Sequence, residues 1–314
     1  MLRLPACRTG VLFPAILLAG LAGQASWSQP AVAAPPTGGG LAGPSRKNDE
    51  RLDVSQYTAR TQAHVIQGVS GNASGVTFNR DSGTLFVAIN GPPLLVEIDT
   101  AGKTRRIIHL EGFDDTEGVV YLGKNRFGIL EERRRHLCVV RIGKKDRSVK
   151  FTRLKQVDQT GGRQDKDWYF LVDPKPTRNT GLEGLTYDRK HRRFFIVKEK
   201  YPVKVLQVAL AKKRNAPPVV SQPWDAANGS LQLSDLSGVH YHAATRQLLI
   251  LSHESRSVVQ CALDGRVQHR LSLATGSAGL SRDVPQAEGI TLDEQQTLYI
   301  ISEPNLLYVF EKKE

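Results

Sequence analysis

The sequence is poor in the residues that staple or metallate small domains. It carries 3 cysteines in 314 residues, and the first, Cys7, lies ahead of an apolar stretch. Cys138 and Cys261 fall in separate apolar runs with no Cys/His spacing of metal-binding type. A disulfide framework and a Cys/His metal centre are therefore excluded, and both thiols are expected to be buried and structural. Helical periodicity is missing over any window of ~11 residues or more. No G-x-S-x-G, H-E-x-x-H or phosphate-cradling loop occurs, which removes the common signatures of nucleophilic, zinc and nucleotide chemistry.

What is present is a repeat. Ser74-Gly75-Val76, Glu117-Gly118-Val119, Glu183-Gly184-Leu185, Ser237-Gly238-Val239 and Glu288-Gly289-Ile290 recur in one setting. Each is followed two residues later by Phe78, Tyr121, Tyr187, Tyr241 or Leu292, then by a polar turn and an apolar run. Runs rich in β-branched and aromatic residues, separated by Asp, Asn, Gly and Ser clusters, read as short antiparallel strands. The motifs start 43, 66, 54 and 51 residues apart. Propeller blades run roughly 40–50 residues, so the excess is loop, at 156–181, 212–235 and 273–286. The expected fold is all-β, a five-bladed β-propeller. A β-sandwich is the competing architecture, and the repeat disfavours it.

Closure follows from counting strands. The last copy starts at Glu288 and leaves room for three strands before Glu314. Segment 59–69 is expected to supply the fourth, an N-terminal strand completing the last blade and removing exposed sheet edges.

The first residues have the layout of an export signal. Arg3 and Arg8 precede the apolar stretch Gly10 to Gly23, and small residues offer cleavage after Ala25 or Ala33. That stretch is short against the ~20 residues of a spanning helix, and Pro14 interrupts it. A cleaved signal over 1–28 is preferred to a retained membrane anchor. Residues 29–56 turn to Pro, Gly, Ala, Ser and charge and read as a flexible linker, leaving 57–314 for the propeller. The net charge of +12 is spread over turns and strand edges. No nucleic-acid motif accompanies it, so nucleic acid is not an expected partner. An anionic membrane surface is one, beside the plainer reading of a solvated positive surface. A monomer with an as yet unidentified ligand or protein partner is expected.

The chemistry concentrates on the acidic motifs. If each motif opens the innermost strand of a blade, Glu117, Glu183 and Glu288 converge on one axial region, with Ser74 and Ser237 completing the ring. Carboxylates that converge at low dielectric need a hard cation or retained protons. Oxygen ligands of this kind suit Ca²⁺ better than zinc. A second tier at the ends of the next strands holds Asn90, Glu131 or Glu132, Glu199, His253 or Glu254, and Glu303. Backbone hydrogen bonds, or pairing with Lys198 and Arg133, are the plainer roles for that tier.

At these residues the chain resembles a known family. ASGVTFNRDSGTLFVAINGPPLLVEID, NTGLEGLTYD and VPQAEGITLD look like the SdiA-regulated family, also called YjiK/CarP-like proteins, over roughly 58–312. The resemblance implies a bacterial, exported, plasma-membrane-associated β-propeller in the periplasm, with a calcium-responsive branch, and it carries over no catalytic role. Three functions stay open. The first is a calcium-associated binding or signalling propeller. The second is a metal-dependent lactonase or phosphoesterase with His253 or His240 as base. The third is an interaction platform built on loops 156–181 and 212–235, with Trp168, Tyr169 and Trp224 as anchors.

Overall fold

A computed structural model of the chain describes residues 52–173, 181–213 and 215–313. The export signal and most of the linker expected over 1–51 lie outside the described residues. Among the described residues the chain is built of strands and three short 3-10 turns. No helix there is long and apolar enough to cross a membrane.

The strands form five separate sheets, one per blade. A leading strand, β1 (Tyr57–Val65), precedes the first motif. Blade 1 then runs β2 (Ala73–Asn79), β3 (Thr84–Ile89), β4 (Leu94–Ile98) and β5 (Thr104–Glu111). Blade 2 holds β6 (Thr116–Gly123), β7 (Arg126–Glu131) and β8 (His136–Arg141). The chain next makes two detours, β9 (Ser148–Lys150) parallel to β5 and β10 (Lys155–Val157), before β11 (Trp168–Leu171) completes blade 2. Blade 3 is β12 (Leu182–Asp188), β13 (Arg193–Lys198), β14 (Lys204–Ala209) and β15 (Val219–Ser221). Blade 4 is β16 (Gly238–His242), β17 (Gln247–Ser252), β18 (Ser257–Ala262) and β19 (Val267–Ser272). Blade 5 is β20 (Gln286–Leu292), β21 (Leu298–Glu303) and β22 (Leu306–Lys312). In its sheet β1 pairs antiparallel with β22, Tyr57 opposite Lys312 and Val65 opposite Leu306.

Each second strand is buried on both faces, which is why its sequence is continuously apolar rather than alternating. In β3, Phe86 and Ala88 pack toward blade 2, while Leu85, Val87 and Ile89 pack toward blade 5. The same division holds round the ring, giving one apolar cluster between every pair of neighbouring blades. Threonines pin the blades together. Thr77, Thr186 and Thr291 accept the backbone N–H of Tyr121, Tyr241 and Phe78 in the following blade.

Two expectations change. Loop 156–181 holds an outer blade strand, and Trp168 is fully buried between Val139 and the third blade rather than displayed as an anchor. Leu52 and Val54, assigned to the linker, are buried against blade 4, where the Gln260 side chain bonds both backbones. Cys138 and Cys261 are free and buried, as expected.

Candidate functional site

The five motif glycines make a ring at the axis. A Cβ on Gly75 would stand 2.4 Å from the Glu117 carbonyl oxygen, one on Gly118 3.0 Å from that of Glu183, and one on Gly184 2.8 Å from the Gly238 Cα. One on Gly238 would stand 2.8 Å from the Glu288 carbonyl oxygen, and one on Gly289 2.8 Å from that of Ser74. Only glycine allows this approach of backbone to backbone. The ring leaves a cavity of about 10 Å³, lined by the glycines, their apolar neighbours and Glu288. That is room for about one water, so the axis is pinched here.

Bulges aim them. Strand pairing slips between Ala73 and Val76, Thr116 and Gly118, Leu182 and Leu185, and Ala287 and Gly289, so Ser74, Glu117, Glu183 and Glu288 each sit at an irregularity. A bulge turns a side chain out of the two-residue alternation that would otherwise bury it in the blade. The fourth motif pairs regularly, Gly238 opposite Leu251. Its Ser237 is buried and donates 2.7 Å to the Ala287 carbonyl, and Ser74 is likewise buried.

The second tier is set by backbone hydrogen bonds. The N–H groups of Asn90, Glu132 and Glu199 donate to the carbonyls of Asn72, Asp115 and Gly181, each two residues before a motif acid or serine. This register selects Glu132 over Glu131. Glu131 is wholly buried beneath the mouth, where it accepts from the Asp114 N–H and contacts Arg134, His136 and Cys138. In blade 4 the residue after β17 is His253. Its neighbour Glu254 turns to Lys200, whose Nζ lies 2.5 Å from Glu254 and 3.1 Å from Glu199. Those two carboxylates therefore have a resident cation.

Around Glu117 neutralisation is partial, and its one cation among the described residues sits at the exposed rim, paired with Asp115. Carboxylate oxygens of Asp115, Glu117 and Glu132 all lie within 4.8 Å of one another. Asn90 Nδ2 donates to Glu117 Oε1, and Arg133 Nε approaches Asp115 Oδ2 at 2.8 Å from the rim. Burial, then hydrogen bonding to and the charge of Asp115, push Glu132 up to about 8. Burial, then the charges of Asp115 and Glu303, push Glu117 up to about 7 against the hydrogen bonds of Ser74 and Asn90. Glu183 is raised well above the usual carboxyl range, by burial and then by Glu117, Glu132, Glu288 and Glu199 together. Glu288 rises to about 7 through burial, and Glu303 rises for the same reason. His253 works against both shifts, its Nδ1 lying 3.6 Å from Glu288 Oε1.

His253 has an orienting partner of its own. Asp235, fully buried, lies 3.0 Å from His253 Nδ1 and accepts from the Ser252 hydroxyl and the Glu254 N–H. The polar contact with Asp235 raises the imidazole pKa above its ordinary value. His240 differs: burial pushes it down to about 3, and it is neutral against Thr291.

The SdiA-regulated family model matches residues 49–311. The chain belongs to the SdiA-regulated family. The solved structures that are similar to this SdiA-regulated protein are distant in sequence. A luciferin-regenerating enzyme matches at 8% identity and a TM-score of 0.49, covering 79% of this chain and 94% of that one. Regucalcin from Agrobacterium tumefaciens, a calcium-binding protein, matches at 12% and 0.48, covering 79% and 92%. A gluconolactonase from Xanthomonas campestris matches at 12% and 0.47, covering 84% and 99%. Likeness at this level carries nothing about chemistry.

Asp115 and Asp235 escape a search that starts at the glycines and reads forward. Their signal is a carboxylate two residues before the motif, in Asp115-Thr116-Glu117-Gly118 and Asp235-Leu236-Ser237-Gly238.

Proposed function

We propose that this protein is an exported binding propeller whose acidic mouth takes a hard divalent cation, Ca²⁺ being the best match. The observation that carries the reading is the Asp115–Glu117–Glu132 cluster. Its oxygens come within 4.8 Å of one another. Two oxygens on opposite sides of a sphere of ~2.4 Å radius stand ~4.8 Å apart, so each pair of these oxygens is close enough to share one Ca²⁺. Glu183 feels the charge of Glu117 and Glu132. Every donor is oxygen, which disfavours zinc. Raised carboxyl pKa values are what such a cluster shows when protons stand in for the cation. Export is supported by the pattern of residues 1–28 and by nothing in the described residues.

A second reading, metal-assisted hydrolysis, is favoured by the Asp235–His253 pair beside Glu288. A buried carboxylate that orients an imidazole at the edge of a metal site supplies a general base. The interaction-platform reading loses its main anchor, since Trp168 is core.

Diffraction from crystals grown in millimolar Ca²⁺ tests the proposal. Density bonded to Asp115, Glu117 and Glu132 is expected, and an axis occupied only by water would refute it. Metal-dependent turnover of a lactone or phosphoester, abolished by His253→Gln, would move the conclusion to the second reading.

A further inference from the structure

Blades 1 and 2 part at the end away from the motif carboxylates, where the β2–β3 and β6–β7 hairpins turn, and the cleft between them is a cavity of about 390 Å³. That is the size of a small-molecule site. Its floor is apolar: Phe86, Phe127 and Ile142 are each 1% exposed, and the two rings lie 4.6 Å apart.

Strand register builds the polar wall. Phe86, Glu97 and Arg106 stand opposite one another across β3, β4 and β5, so their side chains share the face turned to blade 2. The Arg106 side chain is only 8% exposed, and its guanidinium lies 5.7 Å from the centroid of the Phe86 ring. Nε donates to Glu97 Oε2, and Nη1 donates to the Gly143 and Asp146 carbonyls at 2.8 and 3.0 Å. Nη2 has no partner among the described residues, so a guanidinium more than nine-tenths buried keeps two N–H groups for the cavity it lines. Asn79 repeats the pattern. It is buried, and its Oδ1 accepts the Asp81 N–H at 3.0 Å, which fixes the amide and leaves Nδ2 without a partner among the described residues.

The wall is balanced in charge, Asp81 and Glu97 against Arg106 and Lys144. Glu97 is already engaged by Arg106 and by the Thr84 hydroxyl. Asp81 is not. Its Oδ2 accepts from the Tyr121 hydroxyl, which holds the carboxyl below its ordinary range, and Oδ1 has no partner among the described residues. A neutral wall with one open carboxylate oxygen and one open guanidinium nitrogen disfavours a dianion such as phosphate. It matches opposite charges carried on a single molecule.

We propose that this cleft binds a small zwitterion, an amino acid or dipeptide, with its ammonium on Asp81, its carboxylate on Arg106 and Lys144, and its apolar side chain on the Phe127 and Ile142 floor. Asp81 lies just before β3 and Arg106 on β5, two strand spacings of ~4.8 Å apart. One or two residues at ~3.5 Å each, with a hydrogen bond of ~2.9 Å at either end, cover that distance. Asn79 Nδ2 is then the donor for a ligand carbonyl. The site is separate from the axial mouth and needs no cation.

Titration calorimetry of the full-length protein with leucine and with leucyl-leucine, in chelator, tests this. Saturable binding of at least one is expected by millimolar concentration, and the tighter of the two gives the span of the cleft. Acetylating the amine of that ligand, or amidating its carboxylate, should each weaken binding at least about tenfold, because each deletes a charge-assisted bond. Asp81→Asn should weaken the unblocked ligand by a similar factor, and Tyr201→Ala on blade 3 should leave it unchanged. A melting curve checks that Asp81→Asn folds. If it does not, Lys144→Gln, on an exposed side chain, replaces it with an expected loss of about threefold. No saturable heat with either ligand, equal affinity for blocked and unblocked forms, or full affinity in the folded charge variant would each overturn the proposal.

Discussion

Gly75 of the first blade lies so close to Glu117 of the second that a Cβ on Gly75 would stand 2.4 Å from the Glu117 carbonyl oxygen. Fold and site meet at this contact, because the backbone that Gly75 admits is the backbone that carries the central carboxylate. Gly75→Ala is expected to cost about 1–3 kcal/mol, the range for forcing a methyl into a packed interior. Gly71→Ala is the control, since its Cβ would meet Pro304 at an ordinary 3.7 Å and should change stability by less than about 0.5 kcal/mol. Urea unfolding of both variants checks the difference.

The raised carboxyls make a signed prediction about pH. Glu117 and Glu288 stand at about 7 in the folded protein against an ordinary 4.5. Between those values the folded state keeps protons that the unfolded state has released, so stability falls as pH rises. Without added metal, Tm should therefore drop from pH 5 to pH 8, by about 2–4 °C for each kcal/mol lost. Ca²⁺ at about 100 times its Kd should restore about 2.7 kcal/mol at pH 8. A Tm that holds level or climbs over this range, measured by calorimetry in chelator, would contradict the assignment.

Neutralised and unneutralised carboxylates should respond differently to substitution. Glu254 faces Lys200, so Glu254→Gln should leave the Ca²⁺-induced rise in Tm within about 1 °C of wild type. Glu132 faces Asp115 and Glu117, so Glu132→Gln should raise the metal-free Tm at pH 8 and shrink that rise. Thermal melts with and without Ca²⁺ read both effects.

Much of this arrangement is legible in the chain. The glycine recurs because every blade imposes the same backbone approach, and the second strands are apolar throughout because both faces are buried. The outer strand of blade 2 is not legible. Trp168–Leu171 is locally apolar, but two short detours separate it from β8, β9 on β5 and β10 on Trp168–Leu171 itself, so its place in the blade does not follow from the repeat spacing. The direction of the second-tier side chains is hidden for another reason. Lys200 joins its sequence neighbour Glu199 to Glu254 of the next blade, and the contact with Glu254 is fixed by ring geometry rather than by spacing along the chain.

Trp168 supplies a prediction of its own. As a fully buried side chain between blades 2 and 3 it should cost about 3–5 kcal/mol as Trp168→Ala. Tyr201, 82% exposed, should cost less than about 0.5 kcal/mol as Tyr201→Ala. Chemical denaturation of the two variants decides whether 156–181 contributes core or surface.

The most direct test of the cation site is a calorimetric Ca²⁺ titration of the wild type beside Glu117→Gln at pH 7.5. The expected result is saturable binding to the wild type, weakened at least about tenfold when the central carboxylate loses its charge. No heat at millimolar Ca²⁺, or an isotherm that Glu117→Gln leaves unchanged, would contradict it.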